Sequence, residues 1–342
     1  MRILLIMDPG IPVPPALYGG HERLVYMFAE EYTKLGHTVT LLAGPDSHFS
    51  GTTYTFGEND LSRSKTKKLK EALFVWKFLR LNAHKFDVVH NFGRLIYLIP
   101  ILNHCVKKVM TYGRPITSKW INLINRLPNR QLIFTACSQD CITIGNATGK
   151  WLTVYNAIDF SKYELRTEVD EQAPLMFLGR IEEVKGTHTA VKAALATNSK
   201  LLIAGNIEPE HQSYYEEQVK PFVDGSQIKY LGTINDVQKN QFLGQAKALL
   251  FPIKWDEPFG MVMVEAMACG TPVIGYTIGA VPEVIDEGVT GYKVKGLSEL
   301  ITAIQNISKI DRTLCRERAE QRFNSTKIAK DYINIFKLVS QA

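Results

Sequence analysis

Short apolar runs alternate with amphipathic segments along the first half of the chain. An apolar run at 2–7 is followed by a loop rich in Pro and Gly, and then by a helical pattern over about 22–35 that stops at Gly36. Glycine is the usual residue just after a helix, which supports this boundary. Further strands are predicted at 37–43, 86–90, 108–111 and 132–136, with a helix at about 70–83. Strands that alternate with helices need crossover connections, so the pattern predicts a parallel sheet.

The same alternation starts again in the second half. Residues 164–174 are polar and acidic, as in a linker, and the apolar run at 174–180 provides a second first strand. Further strands are predicted at 200–205, 228–232, 248–252 and 271–276, and helices from about 187 and at about 214–222, 237–246 and 261–268. This repeat predicts an α/β protein with two doubly wound Rossmann-like domains, 1–160 and 161–326. We expect them to face each other across a deep cleft, with a final helix within 327–342 packed back on the first domain.

Composition narrows the class of protein. Hydrophobic residues make up 45% of the 342 positions and charged residues 22%, which is typical of a globular chain. The longest apolar stretch, about eight residues at 95–102, is short of the roughly 20 that a membrane-spanning helix needs. The N-terminus is interpreted as a buried strand, because it lacks the apolar core of a signal peptide. The five cysteines are scattered, which indicates no disulfide framework or zinc site and favours a reducing cytoplasm.

Charge is distributed unevenly between the two halves. Residues 1–160 carry 19 Lys or Arg against 11 Asp or Glu, whereas the remainder carries 21 against 23. A basic first half favours an acidic acceptor, a phosphorylated lipid or an anionic membrane face, with a solvated lysine-rich surface as the alternative. The basic run at 62–70 leads into an apolar helical pattern interleaved with Lys77 and Arg80, typical of a surface helix or a membrane-adsorbing one. No aromatic side chain is evidently available for base stacking, so a nucleic-acid partner is not expected.

The most informative motif places two glutamates eight residues apart. Glu257 precedes a Pro-Phe-Gly turn, and Glu265 lies about two turns into the helix that follows. Gly260 lets the backbone approach a ligand, and the free N–H groups of Gly260, Met261 and Val262 can donate to an oxygen-rich or anionic ligand. Glu265 has apolar neighbours, where a carboxylate needs hydrogen bonds, and two vicinal hydroxyls would supply them. The alternative is a capping acid followed by a solvated glutamate.

A second motif follows the first strand of the second domain. Gly179 and Arg180 end that strand, and Lys185 lies in the loop that enters the next helix. A guanidinium and an ammonium at this edge of the sheet can neutralise a diphosphate. The alternative is a structural ion pair between Arg180 and Glu182 or Glu183.

With these motifs the chain resembles the retaining family 4 glycosyltransferases of the GT-B fold over nearly its whole length. The two motifs above are specific in combination, and weaker matches accompany them, namely Tyr18 to Glu22, Gly36-His37, Asp87 to His90 and Asn156 to Asp159. The resemblance implies that the first domain binds an acceptor and the second a nucleotide-sugar donor. The donor would be a UDP-sugar such as UDP-glucose, from which a hexose passes to a hydroxyl of a sugar, a lipid-linked or a small-molecule acceptor.

The resemblance also implies roles for single residues. Arg180 and Lys185 match the donor-diphosphate pair, Glu257 the glutamate near the donor sugar, and Glu265 the glutamate that holds the ribose. Other donor contacts are implied for Gly20, Gly179, Thr233, Ile234, Phe259, Gly260, Met261 and Val262. Members of this family retain anomeric configuration by a same-face displacement in which the donor phosphate deprotonates the acceptor. No cofactor or metal is expected, because an Asp-x-Asp signature is missing; charge on the leaving group would be stabilised by Arg180, Lys185 and helix N-termini.

Three positions depart from the family pattern, and the first two of them fall on the acceptor side. Relatives often carry histidines where this chain has Phe92 and Gly113, and the usual Asn-Gly turn is Asn156-Ala157 here. His90 is either a donor-sugar or acceptor contact or a buried structural histidine, and Arg114 is a candidate contact for an acidic acceptor. Three other functions remain open: a GT-B epimerase or phosphorylase, a non-catalytic GT-B scaffold and, least supported, a dehydrogenase, for which no G-x-G-x-x-G follows either first strand.

Overall fold

A computed structural model describes residues 1–16, 19–128 and 131–338 of the chain. The chain divides into two compact units, each of which contains a parallel sheet. The N-terminal unit comprises residues 1–157 together with 325–342, and the C-terminal unit comprises residues 158–324.

The N-terminal unit is built on a seven-stranded parallel sheet. Its strands run in the order β3-β2-β1-β4-β5-β6-β7. The strands are β1 (Arg2–Ile6), β2 (Thr38–Ala43), β3 (Thr52–Thr55), β4 (Val88–Asn91), β5 (Lys107–Tyr112), β6 (Leu132–Ala136) and β7 (Trp151–Thr153). The apolar runs at the centre are buried on both sides, as parallel strands covered by helices require.

Helices cover both faces of this sheet. They are α1 (Gly20–Lys34), α2 (Lys65–Asn82), α3 (Ser118–Ile124) and α4 (Gln139–Gly145). α1 buries Val25 and Phe28 in the core of one face, whereas α2 buries Val75 and Leu79 in the core of the other. Ile121 of α3 lies in the same core cluster as Val75, so α2 and α3 share a face.

The C-terminal unit repeats the architecture with six parallel strands in the order β10-β9-β8-β11-β12-β13. The strands are β8 (Leu175–Leu178), β9 (Leu201–Ala204), β10 (Ile228–Tyr230), β11 (Ala248–Phe251), β12 (Val273–Tyr276) and β13 (Gly291–Val294). The helices are α5 (Thr187–Ala196), α6 (Gln212–Gln218), α7 (Asp236–Gln245), α8 (Met261–Ala268), α9 (Val281–Val284), α10 (Leu297–Asn306) and α11 (Arg312–Phe323).

The last helix, α12 (Ser325–Leu338), belongs to the N-terminal unit. Thr326 donates a hydrogen bond to Glu31 of α1 over 2.7 Å, and the ring of Tyr332 contacts Phe28 edge-on at 5.1 Å. The last four residues of the expected helix, 339–342, lie outside the described residues.

The predicted fold class is confirmed: two Rossmann-like α/β units with parallel sheets. The helix at 261–268 was predicted at its observed bounds. Three strands were missed, namely β3, β7 and β13, as were the helices α3, α4, α9, α10 and α11. β3 is mostly exposed at the edge of its sheet and therefore lacks an apolar pattern. The apolar stretch at 95–102 forms a 3-10 helix, Leu95–Ile101, that contains Pro100.

Candidate active site

The two sequence motifs meet at one edge of the C-terminal sheet. β8 pairs with β11, so the loop that carries Arg180 and the loop that carries Glu257 both start at the carboxyl edge. Two glycines make the close approach of these loops to their neighbours possible. A Cβ at Gly205 would lie 1.7 Å from the carbonyl oxygen of Gly179, and one at Gly186 would lie 2.0 Å from that of Pro252. A Cβ at Gly179, in contrast, would meet no atom within 4 Å, so space lies open in front of it.

Lys185 and Glu257 form a buried ion pair. The ammonium of Lys185 donates to Oε2 of Glu257, and both side chains are mostly buried. Trp255 donates its ring N–H to the same oxygen over 2.9 Å, and the Lys185 ammonium lies 4.7 Å from the centre of the Trp255 ring. The cluster holds the ammonium of Lys185 beside the carboxylate of Glu257, as an ion pair without net charge. A charged ligand can compete for either partner of this pair.

The backbone around Glu257 is held from the next loop of the sheet. The N–H of Ala280 donates to the carbonyl of Glu257 over 2.9 Å. Gly279, with φ of 60°, packs so closely that a Cβ there would lie 2.4 Å from the Glu257 nitrogen. The position of Glu257 therefore depends on a glycine in the loop after β12, a dependence that the two-glutamate motif alone does not reveal.

Gly260 starts α8 in the left-handed region, with φ of 78°. The N–H groups of Met261 and Val262 in the first turn have no acceptor within the helix, and α8 begins after the loop that follows β11, at the carboxyl edge of the sheet. Phe259 is buried against Phe323, with ring centres 5.7 Å apart. Its side chain is therefore unable to contact a ligand, which leaves only its backbone for the predicted contact.

Arg180 has a structural partner. Its guanidinium lies 3.0 Å from Oε1 of Glu182, and Oε2 of the same carboxylate lies 3.1 Å from Nε2 of His211. The ion pair that the sequence left open as an alternative is thus present. Oε1 of Glu182 has no hydrogen-bond partner among the described residues, so the contact is an ion pair without hydrogen-bond geometry. Arg180 remains exposed whereas Glu182 is buried, and the pair does not enclose the guanidinium.

Glu265 is satisfied by two residues that sequence reasoning missed. Tyr163 donates its hydroxyl to Oε1 over 2.9 Å, and Lys239 donates to the same oxygen over 2.7 Å. Burial opposes the charge on Lys239, but Glu265 and Asp236 outweigh it and raise the pKa of Lys239. Burial, reinforced by Glu265, also raises the pKa of the Tyr163 hydroxyl. The carboxylate of Glu265 was predicted to need hydrogen bonds, and protein groups supply them at its Oε1 atom.

The loop expected to contact the base connects β10 to α7. Asn235 caps α7 and forms reciprocal hydrogen bonds with Gln238. The side chain of Thr233 is exposed and that of Ile234 half-buried. Gly232 has φ of 72°, and a Cβ there would meet no atom within 4 Å, so the backbone of this turn is accessible.

Gly20 and His90, the two residues of the N-terminal unit that were expected to contact a ligand, lie in different environments. Gly20 begins α1, and a Cβ there would meet nothing within 4 Å. Tyr18, part of the same motif, lies outside the described residues. His90 is fully buried among the rings of Phe92 and Tyr332.

The expectation that His90 contacts a ligand is corrected by its surroundings. Its Nδ1 lies 3.3 Å from the hydroxyl of Tyr32, and its Nε2 lies 2.8 Å from that of Thr111. Burial holds the pKa of His90 well below its usual value. Both ring nitrogens are thus used inside the core, and of the two interpretations the sequence allowed, the structure supports the structural one.

A different histidine lies at the carboxyl edge of the N-terminal sheet. His21, the second residue of α1, contacts the ring of Phe92 edge-on at 5.7 Å. A Cβ on Gly113 would lie 3.2 Å from its Nε2, a buried atom without a hydrogen-bond partner in the described structure. The two departures on the acceptor side, Phe92 and Gly113, are therefore neighbours of one imidazole. His21 belongs to the weak motif from Tyr18 to Glu22, but nothing in its spacing indicated this position.

Two kinds of feature are missing from the part of the chain that the structure describes. No group of three or more His, Cys, Asp or Glu side chains there is placed to hold a metal ion. No helix there has the length and apolar character needed to cross a membrane.

Comparison with known sequences identifies the family. Residues 166–322 match the sequence model of the family described as glycosyl transferases group 1. This matched segment, which makes up most of the C-terminal unit, belongs to that family, and the chain is a glycosyltransferase. The matched segment contains Arg180, Lys185, Glu257 and Glu265, whereas Gly20 and His90 lie outside it.

This glycosyltransferase is similar to known proteins over most of its length. It is 27% identical to the glycogen synthase of Mycobacterium tuberculosis over 361 aligned residues, which cover 90% of this chain and 86% of that protein. Among solved structures, AviGT4, a glycosyltransferase involved in avilamycin A biosynthesis, matches with a TM-score of 0.75 at 22% identity over 100% of this chain and 98% of that one. Anabaena Alr3699/HepE in complex with UDP and glucose matches with a TM-score of 0.72 at 20% identity over 98% and 99%. These likenesses confirm the GT-B fold.

Proposed function

We propose that this glycosyltransferase transfers a hexose from a UDP-sugar, UDP-glucose foremost, to a hydroxyl acceptor with retention of anomeric configuration. The observation that carries the proposal is the cluster of Lys185, Glu257 and Trp255 beside the N-terminus of α8. A cation, an oriented carboxylate and free backbone N–H groups at one sheet edge match a diphosphate joined to a polyhydroxyl sugar. The similarity to a structure that contains UDP and glucose supports the choice of donor.

In this proposal the donor diphosphate lies between Arg180 and Lys185. Arg180 lies beside Glu182, and its exposed guanidinium can bind two phosphate oxygens at once. The ammonium of Lys185 would interact with the diphosphate as well as with Glu257, and more strongly as negative charge develops on the leaving group. Stabilisation of that charge by fixed cations is typically the largest contribution to catalysis of this kind.

Glu257 would then accept hydrogen bonds from hydroxyls of the donor sugar, held in place by Trp255 and by the backbone of Gly279 and Ala280. The N–H groups at the start of α8 would bind further sugar oxygens. The base would contact the backbone at Thr233 and Ile234, and the ribose would contact Glu265. We place no protein nucleophile in the reaction: a donor phosphate oxygen removes the proton from the acceptor hydroxyl on the same face.

We infer that the transfer needs neither a metal ion nor another cofactor, because Arg180, Lys185 and the α8 N-terminus supply the positive charge that a metal would otherwise provide. Activity in excess EDTA tests this directly. Loss of activity that Mg²⁺ or Mn²⁺ restores would refute it.

On the acceptor side, we propose a hydroxyl of a sugar, a lipid-linked or a small-molecule acceptor. Arg114 is exposed just after β5, beside the edge at which His21 lies, and would contact an acidic group of that acceptor. Arg114→Ala should then raise the acceptor KM and leave the donor KM unchanged. We further propose a reducing, cytoplasmic setting, in line with the scattered positions of the cysteines in the sequence.

The donor class is tested by thermal unfolding with UDP, GDP, ADP and their sugar conjugates. A ligand that binds the native state raises the melting temperature by mass action. We expect a shift with UDP and UDP-glucose that persists in EDTA and is lost in Glu265→Gln but kept in Glu217→Gln, an exposed glutamate of α6. No shift with any nucleotide would refute the donor site.

Product analysis separates the remaining alternatives. Proton NMR of the product should show an α-glycoside from an α-linked donor. An epimerised sugar nucleotide without acceptor would indicate an epimerase instead, and tight UDP-sugar binding without turnover would indicate a scaffold.

A further inference from the structure

Helices α2 and α3 cover the same face of the N-terminal sheet, and each has one side exposed to solvent. Val75 of α2 and Ile121 of α3 are buried in the same core cluster, whereas α1 and α12 contribute to the cluster on the opposite face. The outward sides of α2 and α3, with Leu127 just after α3, therefore belong to one surface of the unit. We call it the α2–α3 surface.

Large apolar side chains are exposed on this surface. Trp120, Leu123 and Leu127 follow each other at helical spacing and expose between 44% and 63% of their area. On α2, Leu69, Leu73 and Leu81 expose between 50% and 61%. Single exposed leucines are ordinary, but a concentration of this kind on one face marks an interaction surface.

Positive charge predominates on the same surface, and Lys67 of α2 pairs with the acidic residues Glu58 and Asp60 just before the helix. The one acidic residue of α2, Glu71, is buried and paired with Arg63 and Arg94. The exposed cations of the helix are Lys65, Lys68, Lys70, Lys77 and Arg80. On the side of α3, Lys119 and Arg126 are exposed, and the sequence contains no Asp or Glu between Asp87 and Asp140. Neither Lys119 nor Arg126 forms an ion pair within the described ranges.

A cavity of about 530 Å³ opens beside α3. Arg126 and Lys150 line it together with Asn122 and Asn125. The two asparagines hold its wall: Asn122 accepts from the N–H of Thr148 and Asn125 donates to the Thr148 carbonyl, each over 2.7 Å. Two cations without acidic neighbours suit a phosphate group.

We propose that the α2–α3 surface docks on an anionic phospholipid bilayer. Trp120 and the leucines would enter the interface between headgroups and acyl chains, where tryptophan is enriched. The surrounding lysines and arginines would lie among anionic headgroups, with one headgroup phosphate between Arg126 and Lys150. Lysine is depleted in protein–protein interfaces, so a surface that mixes many lysines with leucines favours a membrane over a protein partner. This docking proposal does not depend on the proposed glycosyl transfer.

The full chain is mixed with vesicles of phosphatidylcholine, with and without about one third phosphatidylglycerol, and sedimented. We expect binding to the anionic vesicles alone, weakened by salt. A basic residue near such a surface strengthens binding about fivefold. Lys119→Glu/Arg126→Glu should therefore lower the partition constant at least tenfold, and Trp120→Ser/Leu123→Ser should do the same. Trp120 emission should shift to shorter wavelength on binding, a shift that Trp120→Phe removes, since Trp76, Trp151 and Trp255 are half-buried.

Matched controls lie in the C-terminal unit, where Leu314→Ser and Lys309→Glu change equally exposed residues and should leave vesicle binding unchanged. Thermal unfolding with UDP on the same samples reports folding and the donor site separately, so failure of one proposal is distinguishable from failure of the other. Equal binding to neutral vesicles, or binding that neither double variant weakens, would overturn the proposal. A fall in oligomer mass by light scattering in Trp120→Ser/Leu123→Ser, without vesicle binding by the parent chain, would assign the surface to a second copy instead.

Discussion

The ammonium nitrogen of Lys239 lies 2.7 Å from Oε1 of Glu265, the oxygen that also accepts the hydroxyl of Tyr163. Lys239 belongs to α7, which follows the loop proposed to contact the base, and Glu265 belongs to α8, proposed to hold the ribose. Both side chains are mostly buried. The pair thus links two elements of the proposed donor site and compensates a carboxylate that would be costly to bury alone.

Removal of either partner of this pair should destabilise the chain. Lys239→Met leaves the carboxylate of Glu265 with Tyr163 as its remaining partner, and we expect a loss of about 1 to 3 kcal/mol in the free energy of unfolding. Glu265→Gln should rescue part of that loss in the double variant, giving a coupling energy of about 1 to 2 kcal/mol in urea denaturation. The exposed pair Lys327–Asp331 on α12 is the control, with an expected coupling of about 0.5 kcal/mol or less. Equal coupling in both pairs would contradict this account.

Lys185 should matter for the rate of transfer as well as for the fold, since it is also the ion-pair partner of the mostly buried Glu257. Lys185→Met removes one of the two cations proposed to stabilise the leaving diphosphate, and kcat/KM should fall by about 10² to 10³. Lys192→Met, the same change at an exposed position on α5, serves as control and should retain full activity. Steady-state kinetics with UDP-glucose measures both. A parent-like rate for Lys185→Met would exclude the residue from the site.

Much of the fold was predictable because buried parallel strands are continuous apolar runs. β1, β6 and β11 stand out in the sequence for that reason, and glycine marks the end of α1. The edge strands β3 and β7 were missed, since partial exposure removes the apolar signal that identifies a strand. Their existence depends on pairing with a neighbour, which a local pattern does not contain.

The site was predictable to the extent that it is local in sequence. Glu257, Gly260 and Glu265 lie within one motif, so spacing alone placed them around the start of α8. Lys239 and Tyr163 were missed because they reach Glu265 from 26 and 102 residues away. His90 was ambiguous for a similar reason: a histidine at a strand end gives no sign of whether Tyr32 and Thr111 will occupy its nitrogens.

Gly186 should tolerate no side chain. It has φ of 75° at the entry to α5, and a Cβ there would lie 2.0 Å from the carbonyl oxygen of Pro252. Gly225 has the same φ of 75° but meets no atom within 4 Å, so it isolates the cost of the backbone conformation. We expect Gly225→Ala to cost about 1 to 2 kcal/mol of unfolding free energy and Gly186→Ala about 3 kcal/mol or more. Because Pro252 leads into the Glu257 loop, Gly186→Ala should also lower kcat/KM. Equal losses for the two alanine variants would show that the predicted clash is relieved at no cost.

His21 should make stability depend on pH in the mildly acidic range. Burial, assisted by Arg114 and opposed by Asp8, lowers its pKa from 6.5 to about 4. The unfolded chain therefore binds this proton more readily, so the full stability is present above pH 6.5 and is lost as the pH falls toward 4. Between pH 7 and pH 4.5 the loss in the free energy of unfolding attributable to His21 is about 2 to 3 kcal/mol.

Urea denaturation at both pH values should show a smaller loss of this free energy in His21→Phe, which keeps a ring beside Phe92, than in the parent chain. His90, whose pKa is also lowered, accounts for part of the dependence that remains. His48→Phe, at an exposed position, should retain the parental dependence. If His21→Phe loses as much stability as the parent chain over this pH interval, the imidazole of His21 is protonated in the folded chain. Its buried, unpartnered Nε2 would then not mark a neutral imidazole, as its surroundings indicate.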